Sequence, residues 1–234
     1  MEKSLDQFDK DEIVVRNRLR PKDAATLVLV RRNLDAPRVL MGQRHGSMAF
    51  MANKYVFPGG RVDLCDQRLC VGGELQPHVS ERLRQDASAA RARALGLAAI
   101  RETFEEAGIL VGERTETLPR TRSAWSRFFA HGIAPRLDVL EFIARAITPP
   151  NRTRRFDARF FMADASAIAH QLDVAHSDEL LTPCWLTFAE ARKLDLPTIT
   201  RLVLDEVEVR IRDSAERPVP FFRFLRGRSQ LEYL

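Results

Sequence analysis

The chain has 234 residues, of which 45% are hydrophobic and 29% charged. That balance excludes a disordered tail and leaves enough length to bury a core. No run approaches the ~18 apolar residues of a membrane span, and the opening residues MEKSLDQFDKDE hold no apolar secretory segment. Cys65, Cys70 and Cys184 cannot all pair, so a reducing, cytoplasmic setting is expected. The net charge of +5 favours phosphate-bearing partners. Only five of the 37 basic residues are lysine, and the arginines are dispersed. Dispersion disfavours nucleic acid, whose binding needs clustering; one cluster, NRTRRFDAR at 151–159, stands out.

Residues 24–32 and 38–44 read as two strands around Asn33, Asp35 and Pro37, a hairpin. A third strand, KYVF at 54–57, runs into the breakers Pro58, Gly59 and Gly60. Residues 61–85 lose periodicity around Gly72, Gly73 and Pro77 and read as an irregular excursion. From Ser88 to Leu110 the composition favours helix, with Gly96 a point where it splits in two. A short helix is expected within 121–132, strands over 137–147 and 154–163, and a strand-like run over 180–188 before a helix near 189–193. A last helix from Pro197 to about Arg210 precedes a tail rich in Pro, Phe and Arg. This mixture is an α/β arrangement rather than a strictly alternating parallel one.

The informative segment is LAAIRETFEEAGILVG, from Leu97 to Gly112. At about 100° per residue, Glu102, Glu105 and Glu106 share one face, and Leu97, Ile100, Phe104, Ala107 and Val111 lie opposite. Like charges at i, i+3 and i+4 repel on a plain helix. A hard divalent cation between them removes the repulsion, and Mg²⁺ takes oxygen ligands while bridging to phosphates. On the charge pattern alone a solvated acidic face is the commoner outcome.

Arg101-Glu102-Thr103-Phe104-Glu105-Glu106-Ala107-Gly108-Ile109 resembles the second half of the Nudix box, GX5EX7REUXEEXGU, with U bulky and apolar. Eight of nine positions fit, and Thr103 departs at the first U. The FPGG of 57–60 resembles the approach to that box, with Gly60 its first glycine. Arg101 follows Gly60 by 41 positions rather than 14, so about 27 residues are inserted. Counting back eight from Arg101 reaches Arg93, not a glutamate, and neither Glu74 nor Glu81 in the insert takes the first glutamate's place by spacing. The split box resembles the coenzyme A and acyl-CoA diphosphatase branch, where FPGG-x-x-D is separated by a long insert from AIRE-x-FEEAG. Asp63, the Ala99–Gly108 segment and the RRFD strand at 154–157 match that branch.

The resemblance implies an α/β/α sandwich with a mixed β-sheet, in a single domain over 1–234. The insert would occupy about 61–87 and a C-terminal helix and tail about 197–234. It implies Mg²⁺-dependent (alternatively Mn²⁺-dependent) cleavage of a diphosphate in a nucleoside-diphosphate-linked small molecule, CoA or acyl-CoA foremost. ADP-ribose, NADH and nucleotide sugars are the alternative substrates. Glu102, Glu105 and Arg101 would be catalytic, with Glu102 the candidate base and Arg101 fixing a glutamate. Glu102, Glu105, Glu106, the Gly59 carbonyl and Glu179 would hold the metal. Arg44, Arg154 and Arg155 would bind substrate.

Strand alternation puts Phe156, Ala158 and Phe160 on one face and Arg155, Asp157 and Arg159 on the other, where guanidinium groups could meet phosphate. A non-catalytic nucleotide-metabolite-binding module of the same fold is a second reading. Nucleic-acid association through Phe221, Phe222 and Phe224 and the neighbouring arginines is a third. The simpler reading of that tail is an arm packed on the domain or on a second copy in a homodimer. Cys65 and Cys70 lack a second cysteine pair for zinc. The histidines form no HxxxH pair, and His170 and His176 read as surface or packing residues. Neither a P-loop nor GxGxxG occurs.

Overall fold

The computed structural model describes residues 19–234 apart from 33–34, 49, 72, 120, 151, 173–178 and 214. The N-terminal leader, Asn33, Gly72 and His176 lie outside the described residues. Strand β1 (Lys22–Arg31) runs through the centre, and Leu27, Val28, Leu29 and Val30 in it are all fully buried. Successive strand side chains point to opposite faces, so an unbroken apolar run needs cover on both. Ala25, Leu27 and Leu29 join one core with helix α3 (Ala89–Ala107), and Val28 and Val30 join another with helix α6 (Thr198–Arg212). The result is the expected α/β/α sandwich.

Strand β2 (Arg38–Arg44) pairs antiparallel with β1, as the hairpin reading expects. On the other side β8 (Phe156–Asp164) runs parallel to β1, with Ala24 opposite Ala158 and Thr26 opposite Phe160. Strand β7 (Glu141–Ile147) lies antiparallel to β8, and β10 (Leu180–Thr187) antiparallel to β2. Two short strands attach at one end: β3 (Tyr55–Val56) on β2 and β4 (Gly59–Arg61) on β1. A separate three-stranded sheet joins β5 (Ile109–Arg114) to β6 (Ile133–Pro135) and β9 (Ile168–Gln171).

Helix α3 is one helix, not two. A side chain at Gly96 would come within 2.8 Å of Leu137 and 3.2 Å of Leu140 and Leu75, so the glycine is a packing position. The helix starts at Ser88, whose hydroxyl accepts from the Arg91 amide at 3.2 Å. It ends at Gly108, left-handed with φ 67°, whose N–H bonds Phe104 O. Thr103 suits its apolar place because its hydroxyl donates to Ala99 O at 2.8 Å while fully buried.

The excursion at 61–85 is also more ordered than its composition predicts. It contains α1 (Leu64–Arg68) and α2 (Pro77–Arg84), the latter opened by a proline and seated on Val79 and Leu83. A two-residue stripe is too short to register as periodicity. The strand expected over 137–147 begins only at Glu141, and within 121–132 the helix α4 spans Trp125–Phe129. Helix α5 (Phe188–Ala191) falls where 189–193 was expected. The tail packs on the domain as a hairpin of β11 (Pro220–Leu225) and β12 (Arg228–Tyr233), turned by Arg226 and Gly227 at φ 51° and 80°. Strand β11 pairs parallel with β7, which extends the main sheet.

Candidate active site

The site forms where β4 meets the C-terminal half of α3. Gly59 and Gly60 allow that approach: a side chain at Gly59 would meet Ala25 O at 2.6 Å, and one at Gly60 would strike the Glu102 carboxylate at 2.5 Å. The Gly59 amide donates to Glu106 Oε2 at 2.8 Å, so this bend and the acidic helix are joined directly. Gly59, Glu102 and Glu105 line one end of a cleft of about 510 Å³.

Arg101 orders the acidic face. Its Nη1 donates to Glu102 Oε1 at 3.0 Å and Glu105 Oε2 at 2.7 Å, and its Nη2 also reaches Arg61 O at 2.9 Å. Its other contact is Asp66, which accepts from Nε at 2.9 Å and Nη2 at 3.0 Å. Asp66 is 1% exposed and also accepts from Trp125 Nε1 at 2.9 Å and the Asp63 amide at 2.8 Å. Sequence reasoning missed this residue because it counted backwards from Arg101. Counting forwards from Gly60, GX5E lands on Asp66, an aspartate in the glutamate's place. The insertion therefore falls between Asp66 and Arg101, and Arg93 ties it to α3 through the carbonyls of Leu69, Val71 and Gly73.

Below Glu102 lies Glu106, only 3% exposed. Burial, then the Glu102 charge, push its carboxyl up to about 8, against the pull of the Gly59 amide and Arg44. Burial likewise raises Glu102 to about 7, against the pull of Arg101 and with Glu105 adding repulsion. Glu106 Oε1 is buried with no hydrogen-bond partner. Among the described residues no three His, Cys, Asp or Glu side chains already converge as a ligand set. The donors nevertheless fit a hard divalent cation: they are all oxygen, mutually repelling, and include an unsatisfied buried oxygen.

Arg44, Arg154 and Glu179 also line the cleft. Arg44 Nε is buried without a partner. Glu179, at a bend before β10, is exposed and close enough to raise Glu106 through its charge. Arg155 is not brought into this cleft; it donates to Leu19 O at 2.7 Å and Thr148 O at 3.0 Å. The arginine face of β8 corrects the expectation of an open phosphate-facing surface. Arg159 is 2% exposed and pairs with Asp157 and Asp23 under α3. Parallel register with β1 turns Ala158 and Phe160 to the cleft instead. Cys65, Cys70 and Cys184 are free thiols, and His170 is exposed.

No family model matches the chain, and no curated protein matches it. Among solved structures, a NUDIX hydrolase from Alicyclobacillus acidocaldarius is similar over 83% of this chain and 96% of that one, at 25% identity and TM-score 0.61. The NUDIX domain of Shewanella oneidensis NrtR, solved with ADP ribose, covers 82% and 90% at 12% identity and TM-score 0.48. A MutT NUDIX hydrolase from Burkholderia pseudomallei covers 81% and 99% at 20% identity and TM-score 0.45. The chain has the Nudix fold, and its likeness to the Alicyclobacillus enzyme supports membership of the Nudix hydrolase superfamily.

Proposed function

We propose that the chain is a Mg²⁺- or Mn²⁺-dependent hydrolase that cleaves the diphosphate of a nucleoside-diphosphate-linked small molecule, CoA or acyl-CoA foremost. The observation that carries this reading is Glu106, a buried carboxylate with an unsatisfied oxygen beside Glu102 at a glycine bend. Among the described residues the Gly59 amide and the Arg44 charge offset that carboxylate only in part, so the site would suit a cation from outside. Glu102, Glu106 and Glu105 would hold it, with the Gly59 carbonyl and Glu179 as further ligands. Bound there, the ion would neutralise diphosphate oxygens and lower the pKa of attacking water.

The chain's own residues supply the rest. Arg101 fixes Glu102 and Glu105, and Arg44 and Arg154 lie along the cleft to receive phosphate oxygens. Glu102 is the candidate to take the proton as water adds to phosphorus and the bond to the bridging oxygen breaks. The CoA preference rests on the FPGG-x-x-D, AIRE-x-FEEAG and RRFD likenesses, and the free thiols fit a cytoplasmic setting. The test is a panel of CoA, acyl-CoA, ADP-ribose, NADH and a nucleotide sugar incubated with enzyme and Mg²⁺, the products resolved by mass. Cleavage of CoA compounds at the diphosphate is expected. Cleavage of another member would move the substrate, and intact compounds throughout would discard hydrolysis.

A further inference from the structure

The cleft has a second end, built differently from the acidic one. Across four adjacent strands of the main sheet the register aligns Ala24 with Ala158, Ala158 with Ala146, and Ala146 with Phe222. All four face the cleft, and the row begins beside Arg61 of β4, opposite Ala24. Three strand spacings make it about 14 Å long. Three side chains of one carbon each leave a trough in a sheet face otherwise filled by Phe160 and Val28, and Phe222 closes its far end.

One wall is apolar, while Thr148, Arg152, Arg154 and Thr200 also line the cleft. Phe50 meets Phe156 edge to face, with ring centroids 5.4 Å apart, and Met48, Met51 and Ile199 complete the enclosure. The segment carrying Phe50 is pinned at its ends, with the Asn53 amide bonded to Arg44 O, and turns through left-handed Met51 (φ 55°) and Asn53 (φ 61°). Nearby Thr148 accepts at its hydroxyl from the Phe156 amide and at its carbonyl from Arg155. The alanine floor, Phe222 and the wall of Phe50 and Met51 offer no polar side chain to a nucleobase edge, whereas a flexible aliphatic chain needs none, and methionine walls adapt to one.

We infer that this alanine row is the floor of a subsite for an elongated apolar chain attached to the diphosphate, with Ala158 and Ala146 setting its depth and Phe222 its length. The inference rests on the diphosphate reading of the acidic end. Its test uses probes that cannot be hydrolysed and contain no nucleotide: ethyl, hexyl and decyl monoesters of methylenediphosphonate, titrated calorimetrically in Mg²⁺. Affinity should rise by up to about fourfold per buried methylene and level off when the chain reaches Phe222. Ala158→Leu should erase that dependence, and Phe222→Ala should move the plateau to longer chains, which keeps the test open if the leucine variant misfolds. Equal binding of all three esters overturns the subsite while leaving diphosphate cleavage untouched. Chain-dependent binding by a protein that cleaves no diphosphate keeps the subsite and removes the hydrolase reading.

Discussion

At its N-terminal end helix α3 sends Arg91 into a partly buried ion network, and at its C-terminal end it presents the acidic cluster. In the network Arg91, Arg145 and Arg159 meet Asp23, Asp86 and Asp157, three positive groups against three negative. Arg91 lies 2.5 Å from Asp23, and Arg145 and Arg159 each lie 2.9 Å from Asp157. In the cluster Arg101, helped at Glu106 by the charge of Arg44, faces Asp66, Glu102, Glu105 and the neighbouring Glu106, two positive groups against four negative. The network balances its charges, and the more deeply buried cluster does not. A closed ion network needs nothing further, while a surplus of carboxylates marks where a ligand's charge belongs.

The sharpest way to separate the two is to remove one carboxylate from each. Asp157→Asn removes the carboxylate that Arg145 and Arg159 share, leaving them Asp86 and Asp23, and should cost about 2–3 kcal/mol in urea unfolding, with or without Mg²⁺. Glu106→Gln should act in the opposite direction on stability. Without divalent cation it relieves repulsion and should stabilise by about 1 kcal/mol. The wild-type chain should gain about 2.7 kcal/mol at Mg²⁺ a hundredfold above Kd, and the variant should lose that gain. Turnover of whichever diphosphate is cleaved should fall by more than about 100-fold, beyond the effect of groups that only orient ligands.

Two smaller effects refine the contrast. Trp125→Phe keeps the ring packing and removes only the bond to Asp66, loosening Arg101 and through it Glu102 and Glu105. About a tenfold loss in kcat is expected, with KM little changed and near-UV dichroism retained; a change in KM alone would make Trp125 a packing residue. The smallest effect concerns acid. Burial opposes ionisation of Asp23, but the Arg91 hydrogen bond and the charges of Arg91, Arg159 and Arg145 hold its carboxyl below the ordinary 3.8. The stability it contributes is therefore present above about pH 4 and lost as pH falls through the lower folded value. Asp23→Asn should flatten that acid limb, as read from unfolding midpoints between about pH 5 and 2.

Helix α3 was readable from sequence because one element carries both its stripes: Leu97, Ile100, Phe104 and Ala107 are buried, and Glu102 and Glu105 reach the cleft. The hairpin of β1 and β2 was readable for the same local reason. What escaped depends on partners distant in sequence. The parallel pairing of β1 with β8 sends Arg159 inward and Ala158 outward, and alternation alone cannot say which face is open. Gly96 looks like a helix breaker until Leu137 and Leu140 are placed beside it. Asp66 was hidden by the insert and by being one methylene shorter than the pattern's glutamate.

The insert itself carries a design consequence. Asp66 and Arg101 touch although 35 positions part them, so the intervening chain leaves and returns to almost the same point. An ordinary linker of seven residues would close that gap, yet it could not simply be grafted in. Leu69, Leu75, Val79 and Leu83 roof the core over Ala92 and Leu95, and trimming them would strip the lid from the hydrophobic interior while sparing the acid groups. A minimal version of this protein would need new polar residues on the uncovered flank of the long helix before its chemistry could be judged.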